Sequence, residues 1–93
     1  YHESLCVELG IRGIQFRSKA EIDVFYKGHI IKGLEVDILV EEAVIVEIKS
    51  LVRLPDVALA QTLSYLKATG MKRGLLINFG QTRLIDGVKR VSL

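Results

Sequence analysis

The chain has 93 residues, 49% of them apolar and 26% charged, which excludes a disordered polypeptide and fits one small domain with a single core. Thirteen basic and 11 acidic residues leave a net charge of +2, a faint lean toward an anionic partner and far short of a basic nucleic-acid tail. A single cysteine, Cys6, excludes an internal disulfide framework, and no apolar run reaches the length of a membrane span, so the expectation is one cytoplasmic domain over residues 1–93 with no membrane partner.

The chain opens at Tyr1, without a Met and in what reads as mid-helix, so an N-terminal segment is expected ahead of it. Tyr1, Leu5 and Leu9 recur at i, i+4, i+8 and predict a helix over residues 1–11, closed by Gly10 or Gly13. Glu8 falls on that apolar face, three residues after Leu5. It is a candidate metal ligand or an acid at the helix edge, whereas Glu3 points away. Ile14 to Phe16 begins a first strand, and residues 20–26 (AEIDVFY) alternate as a strand before the turn signal Lys27-Gly28-His29. His29-Ile30-Ile31 then leads toward Gly33. Asp23 and His29 read as a solvent-facing strand acid and an exposed turn histidine.

Gly33 to Ser50 is the centre of the chain. Two arms rich in Val, Ile and Leu, residues 34–40 and 44–49, flank Glu41-Glu42-Ala43, which reads as a hairpin turn. With three residues in the turn, position 40 faces 44, Asp37 faces Glu47 and Glu35 faces Lys49. Glu47 and Lys49 share one face because strand side chains alternate. Asp37, Glu47 and Lys49 therefore converge. Two carboxylates so close repel unless a cation lies between them, and a few hard oxygen ligands suit Mg²⁺ with substrate phosphate completing its shell. The competing reading is a solvated strand face carrying a surface ion pair, and a one-residue slip of register would separate the side chains.

Pro55-Asp56 predicts the start of a second helix over residues 56–69, with Gly70 as its stop. Leu59, Leu63 and Leu66 form its expected apolar stripe. Gln61 and Tyr65 stack one turn apart on the flank beside Ala58 and Thr62, where Gln61 either points its amide at the hairpin or bonds to backbone. The run Gly74 to Phe79 is a continuous apolar strand, and strand–helix–strand predicts a parallel right-handed crossover. A loop to Asp86-Gly87 and an edge strand over 88–93 end the chain. The order α-β-β-β-α-β-β gives an α/β (α+β) fold, a mixed central sheet flanked by helices.

This ordered set resembles the PD-(D/E)xK nuclease superfamily with its restriction-endonuclease-like fold, and within it the small bacterial and archaeal GxxExxY family. The residues that carry the resemblance are Tyr1-His2-Glu3-Ser4-Leu5 with Glu8-Leu9, Val36 to Glu41, Val46-Glu47-Ile48-Lys49, Ala60-Gln61 with Tyr65-Leu66, Gly74 to Gly80, and the tail Leu84, Asp86-Gly87 and Lys89-Arg90. Two positions depart from the pattern: the GxxE part would lie before Tyr1, and Val36 stands where the superfamily places Pro. The resemblance implies that Asp37, Glu47 and the backbone carbonyl of Ile48 bind Mg²⁺ or Mn²⁺, that Lys49 and Gln61 orient water or phosphate, and that Tyr65 supports Gln61. It implies hydrolysis of nucleic acid, DNA favoured over RNA, by a domain small enough to work as a homodimer or beside a partner chain. Arg53, Lys72 and Arg73 are candidate backbone-phosphate contacts. The alternatives are a non-catalytic nucleic-acid-binding or protein-interaction module that keeps the fold, and a small-molecule phosphodiesterase.

Overall fold

Gly and Pro place most of the breaks in this chain, and the apolar runs between them form one mixed sheet with a helix on each face. The computed structural model describes residues 1–30 and 33–93, and of Phe25 and Tyr26 the backbone only. The elements are α1 (His2–Ile11), β1 (Phe16–Ile22), β2 (Phe25–Tyr26), β3 (His29–Ile30), β4 (Leu34–Val40), β5 (Val44–Lys49), α2 (Asp56–Thr69), β6 (Arg73–Asn78) and β7 (Val88–Ser92), with a 3₁₀ turn over Leu84–Gly87. Five strands pair in the order β1-β4-β5-β6-β7, and β2-β3 is a separate small hairpin. Pairing is antiparallel except between β5 and β6, the expected crossover through α2.

Three expectations are corrected. The strand expected over residues 20–26 is two strands, because β1 begins at Phe16 and ends at Ile22. The turn after β2 is Lys27-Gly28, and His29 belongs to β3, which is exposed. The expected lead-in through Ile31 falls outside the described residues. The buried face of α2 is Ala58, Thr62 and Leu66, while Leu59 is 37% exposed. Close approach explains this rotation. A β-carbon on Gly74 of β6 would sit 3.2 Å from the Ile45 carbonyl and 3.3 Å from Thr62 Cγ2. Thr62 of α2, with Leu66 one turn on, therefore lies directly over a glycine in the sheet.

The core is two layers. Val36, Leu39, Ile45 and Leu76 pack under α2 with Leu66, and Ile38, Val46 and Ile77 pack under α1 with Leu5, Cys6 and Leu9. No α1 residue is fully buried, and Val7 and Ile11 are exposed. The face expected from Leu5 and Leu9 is the one that packs. The helix is tied to the sheet by His2 Nε2 and Ser18 Oγ at 2.7 Å and by stacked rings of Tyr1 and Phe79 with centroids 4.6 Å apart. Gly13, with φ 71, is the left-handed residue that closes it.

α2 ends at Gly70 as expected, with φ 77 and its N–H donating to the Leu66 carbonyl at 2.9 Å. Nothing lies within 4 Å of a β-carbon placed there, so the cost of Gly70→Ala is conformational. It should lower unfolding free energy by about 1 kcal/mol, read as a drop of about 4–8 °C in melting temperature.

Candidate active site

The hairpin of β4 and β5 pairs Ile38 with Val46, Leu39 with Ile45 and Val40 with Val44, the register expected from a three-residue turn. Glu41 and Glu42 both adopt the left-handed region (φ 54 and 55), and Ala43 N–H closes the turn on the Val40 carbonyl at 3.0 Å. The ladder stops at Ile38–Val46, one residue before Asp37. On the other side, the β1–β4 ladder omits Lys19 and Asp37, and Lys19 has φ 50. Facing shifts at the same point: Leu34 and Val36 pack under α2, while Ile38 and Val40 pack under α1. Regular alternation allows no such change within one strand. Asp37 thus sits where backbone pairing gives way on both sides.

Side chains take over the missing bonds. Ile48 N–H donates to Asp37 Oδ2 at 2.7 Å, a charge-assisted bond, and Asp37 N–H donates to Glu47 Oε1 at 3.4 Å. In an extended strand a residue's N–H and carbonyl point to the same side, so the Ile48 carbonyl is also turned toward β4.

Glu47 is 6% exposed. Burial, and then the negative charge of Asp37, push its carboxyl up to about 7 from the ordinary 4.5, while the charge of Lys49 works in the opposite direction. Burial, then the charges of Glu47 and Asp37, also raise the Tyr65 phenol. The raised Glu47 pKa has a defined consequence for stability. Between about 4.5 and about 7 the folded chain holds a proton that the unfolded chain releases, so this stabilisation is complete below pH 4.5 and is lost as pH rises through 7. Urea denaturation should therefore show a metal-free protein less stable at pH 7.5 than at pH 5 by roughly 1–3 kcal/mol from this group. Mg²⁺ should restore stability at pH 7.5 more than at pH 5, since cation and proton compete for one carboxylate.

Lys49, the last residue of β5, is half-buried, and with Gln61 it lines an open groove of about 490 Å³ between the end of β5 and α2. Its carbonyl accepts the Phe79 N–H at 2.8 Å, and it pairs with Asn78 across the parallel ladder. Asn78 is fully buried. Its Oδ1 accepts the N–H groups of Leu51 (2.8 Å) and Gly80 (3.0 Å), and its Nδ2 donates to the Leu51 carbonyl (2.9 Å). This amide fixes the chain just after Lys49, a role that sequence reasoning missed. The available signal was a polar residue inside an apolar strand, two before a glycine.

Hydrogen bonds thus join Asp37 to Glu47 and to the Ile48 N–H, Lys49 and Gln61 line one groove, and the charges of both carboxylates act on Tyr65. Glu8 does not join them. It is exposed and bonded to Arg12 at 2.8 Å one turn on, and α1 packs on the sheet face away from Glu47. The helix turns Leu5, Cys6 and Leu9 inward and leaves Glu8 in water, not on the buried face expected of it. Arg53, Lys72 and Arg73 are all exposed.

Among the described residues no three His, Cys, Asp or Glu side chains gather as a metal cluster. Two adjacent carboxylates that repel each other, with a backbone carbonyl turned toward them, nonetheless suit a hard cation that takes one or two protein carboxylates and fills the rest of its shell with water and phosphate. The family whose profile matches the chain, over residues 1–91, is described as the PD-(D/E)XK nuclease superfamily. No curated protein and no solved structure matches the chain.

Proposed function

The chain belongs to the PD-(D/E)XK nuclease superfamily, and from that premise we propose that it is a metal-dependent nuclease hydrolysing phosphodiester bonds, in DNA before RNA. The observation that carries the reading is Glu47, a carboxylate buried in an apolar strand against a second carboxylate, Asp37, with a lysine two residues on. Such a pair costs stability in a protein that makes no use of it. Asp37, Glu47 and the Ile48 carbonyl would hold Mg²⁺ or Mn²⁺. The bound ion would lower the pKa of water and polarise the phosphoryl oxygen.

This chain's own groups do the rest. The Lys49 ammonium orients the attacking water and stabilises charge developing on the phosphoryl oxygens. Gln61, which lines the same groove as Lys49, holds water or phosphate in place, and the Tyr65 hydroxyl supports the carboxylate side. The ordered motifs from Tyr1 to Arg90 further support placement in the GxxExxY family.

Calorimetric titration with Mg²⁺ and Mn²⁺, followed by incubation with labelled DNA, RNA and mononucleotide esters, tests the proposal. Metal binding and metal-dependent cleavage of polymers are expected. Metal binding with cleavage of the small esters alone would make the protein a small-molecule phosphodiesterase, and polymer binding without metal or turnover would make it a binding module.

A further inference from the structure

The groove that starts at Lys49 and Gln61 extends beyond anything the metal chemistry uses. One wall is Leu51, two residues past the end of β5, and the helix wall is Val57 and Ala60, with Ser64 one turn beyond Ala60. Leu51 is 41% and Val57 69% exposed, so apolar side chains stand in water directly beside a charged cluster. Lys49 supplies the groove's positive charge, and among the described residues its lining includes no carboxylate. A polyanion is not repelled there, and among the described residues that line the groove Lys49 is the one cation.

From this we infer that the groove receives the nucleoside of an unpaired nucleotide adjoining the scissile phosphate, so that the substrate is single-stranded or frayed nucleic acid. The inference rests on the nuclease reading. A phosphate held at Asp37, Glu47 and Lys49 puts its neighbouring sugar and base within the shared wall of Lys49 and Gln61. In a duplex the base faces are sealed in the stack and the edges are paired. An unpaired base can lay an apolar face against Leu51, Val57 and Ala60. The volume of about 490 Å³ lies in the range of small-molecule sites. The Gln61 amide and Ser64 hydroxyl can bond to sugar or base edges without selecting one base, so recognition is sequence-tolerant.

The test measures binding with Ca²⁺ in place of Mg²⁺, to separate affinity from turnover, and cleavage with Mg²⁺. The probes are a labelled mixed-sequence single strand, its duplex, and an abasic strand of the same length. The wild-type chain should bind the single strand about 10-fold tighter than the duplex or the abasic strand. Ala60→Trp, which fills the groove from an exposed helix position, and Val57→Glu, which sets a carboxylate against the polyanion, should each abolish that preference and leave the calorimetric Mg²⁺ titration unchanged. Equal affinity for duplex and single strand overturns the inference, as does an Ala60→Trp protein that keeps the wild-type preference. Val57→Glu that changes the sedimentation coefficient without changing strand binding assigns the groove to a second copy of the chain and also overturns it. Strand preference without cleavage sinks the nuclease reading but supports the groove. Cleavage of duplex and single strand alike does the reverse, and a chain that binds no nucleic acid sinks both.

Discussion

Lys49→Ala should lower metal-dependent cleavage by about 10²–10³-fold, the size of effect that removal of one donor to a developing negative charge produces. Its folding should change little. Lys49 ends its strand half-exposed, and its backbone bond to Phe79 does not involve the side chain. Glu47→Gln should abolish cleavage by another route and move stability the opposite way from most core substitutions. Its amide occupies the same volume, ends the repulsion with Asp37 and has no proton to lose as pH passes 7. The variant should thus unfold at a higher urea concentration than the wild type at pH 7.5 and match it near pH 4.5, while the heat of Mg²⁺ binding disappears. The pair separates metal binding from chemistry: Glu47→Gln loses both, and Lys49→Ala keeps the first. Wild-type cleavage rates in both variants would remove the cluster from the mechanism.

Asn78→Ala should be the most damaging single change to folding among those considered. It deletes three hydrogen bonds at a fully buried position and leaves the N–H groups of Leu51 and Gly80 and the Leu51 carbonyl without that partner. Backbone groups left without a partner cost roughly 1–3 kcal/mol each, less where water reaches them as at the exposed Leu51 and Gly80, so a net loss of about 2–4 kcal/mol is expected. For a domain of this size that is a fall of about 10–20 °C in melting temperature, measurable by circular dichroism. Gly80→Ala should do similar harm from the other side, because a β-carbon there would overlap the Leu51 backbone. At a temperature where Asn78→Ala is still folded, Mg²⁺ affinity should hold while cleavage falls, since Asp37 and Glu47 lie outside this clamp and Lys49 enters it. A melting temperature within 3 °C of wild type would mean that the clamp contributes little.

The sequence was most informative where one physical constraint decided the structure. Two apolar arms about an acidic turn fixed the register beside the turn, which is observed from Val40–Val44 to Ile38–Val46, but the expected pairs Asp37–Glu47 and Glu35–Lys49 are not part of the ladder. Pro55 and Gly70 bound α2 because one fixes φ and the other accepts a positive φ. The parallel pairing of β5 with β6 follows from the length of the connection. Reading failed where several residues competed on nearly equal terms. Hydropathy favoured Leu59 as an inward residue of α2, but approach to Gly74 rewarded the smaller Thr62, and Ala58 is buried one turn before it. Alternation continues past Ile22 with no turn residue to mark the end of β1. Glu8 looked inward because it follows Leu5 by three, but the packed face takes in Cys6 as well and so turns away from it. The irregularity at Asp37 left no trace in an unbroken apolar run, and the role of Asn78 depends on a loop 27 residues away.

That separation has a consequence for how the molecule assembles. Asp37 and Glu47 are 10 residues apart, within one hairpin, whereas the bonds that seat the chain after Lys49 close a span of 27. Closure of the shorter loop costs less entropy and needs no other element in place. The acidic pair is therefore the first part of the cluster that a folding chain can form, and the seat of the lysine is the last. Repulsion between the carboxylates works against an early step, and Asn78 acts on a late one, after α2 has carried β6 back to the sheet.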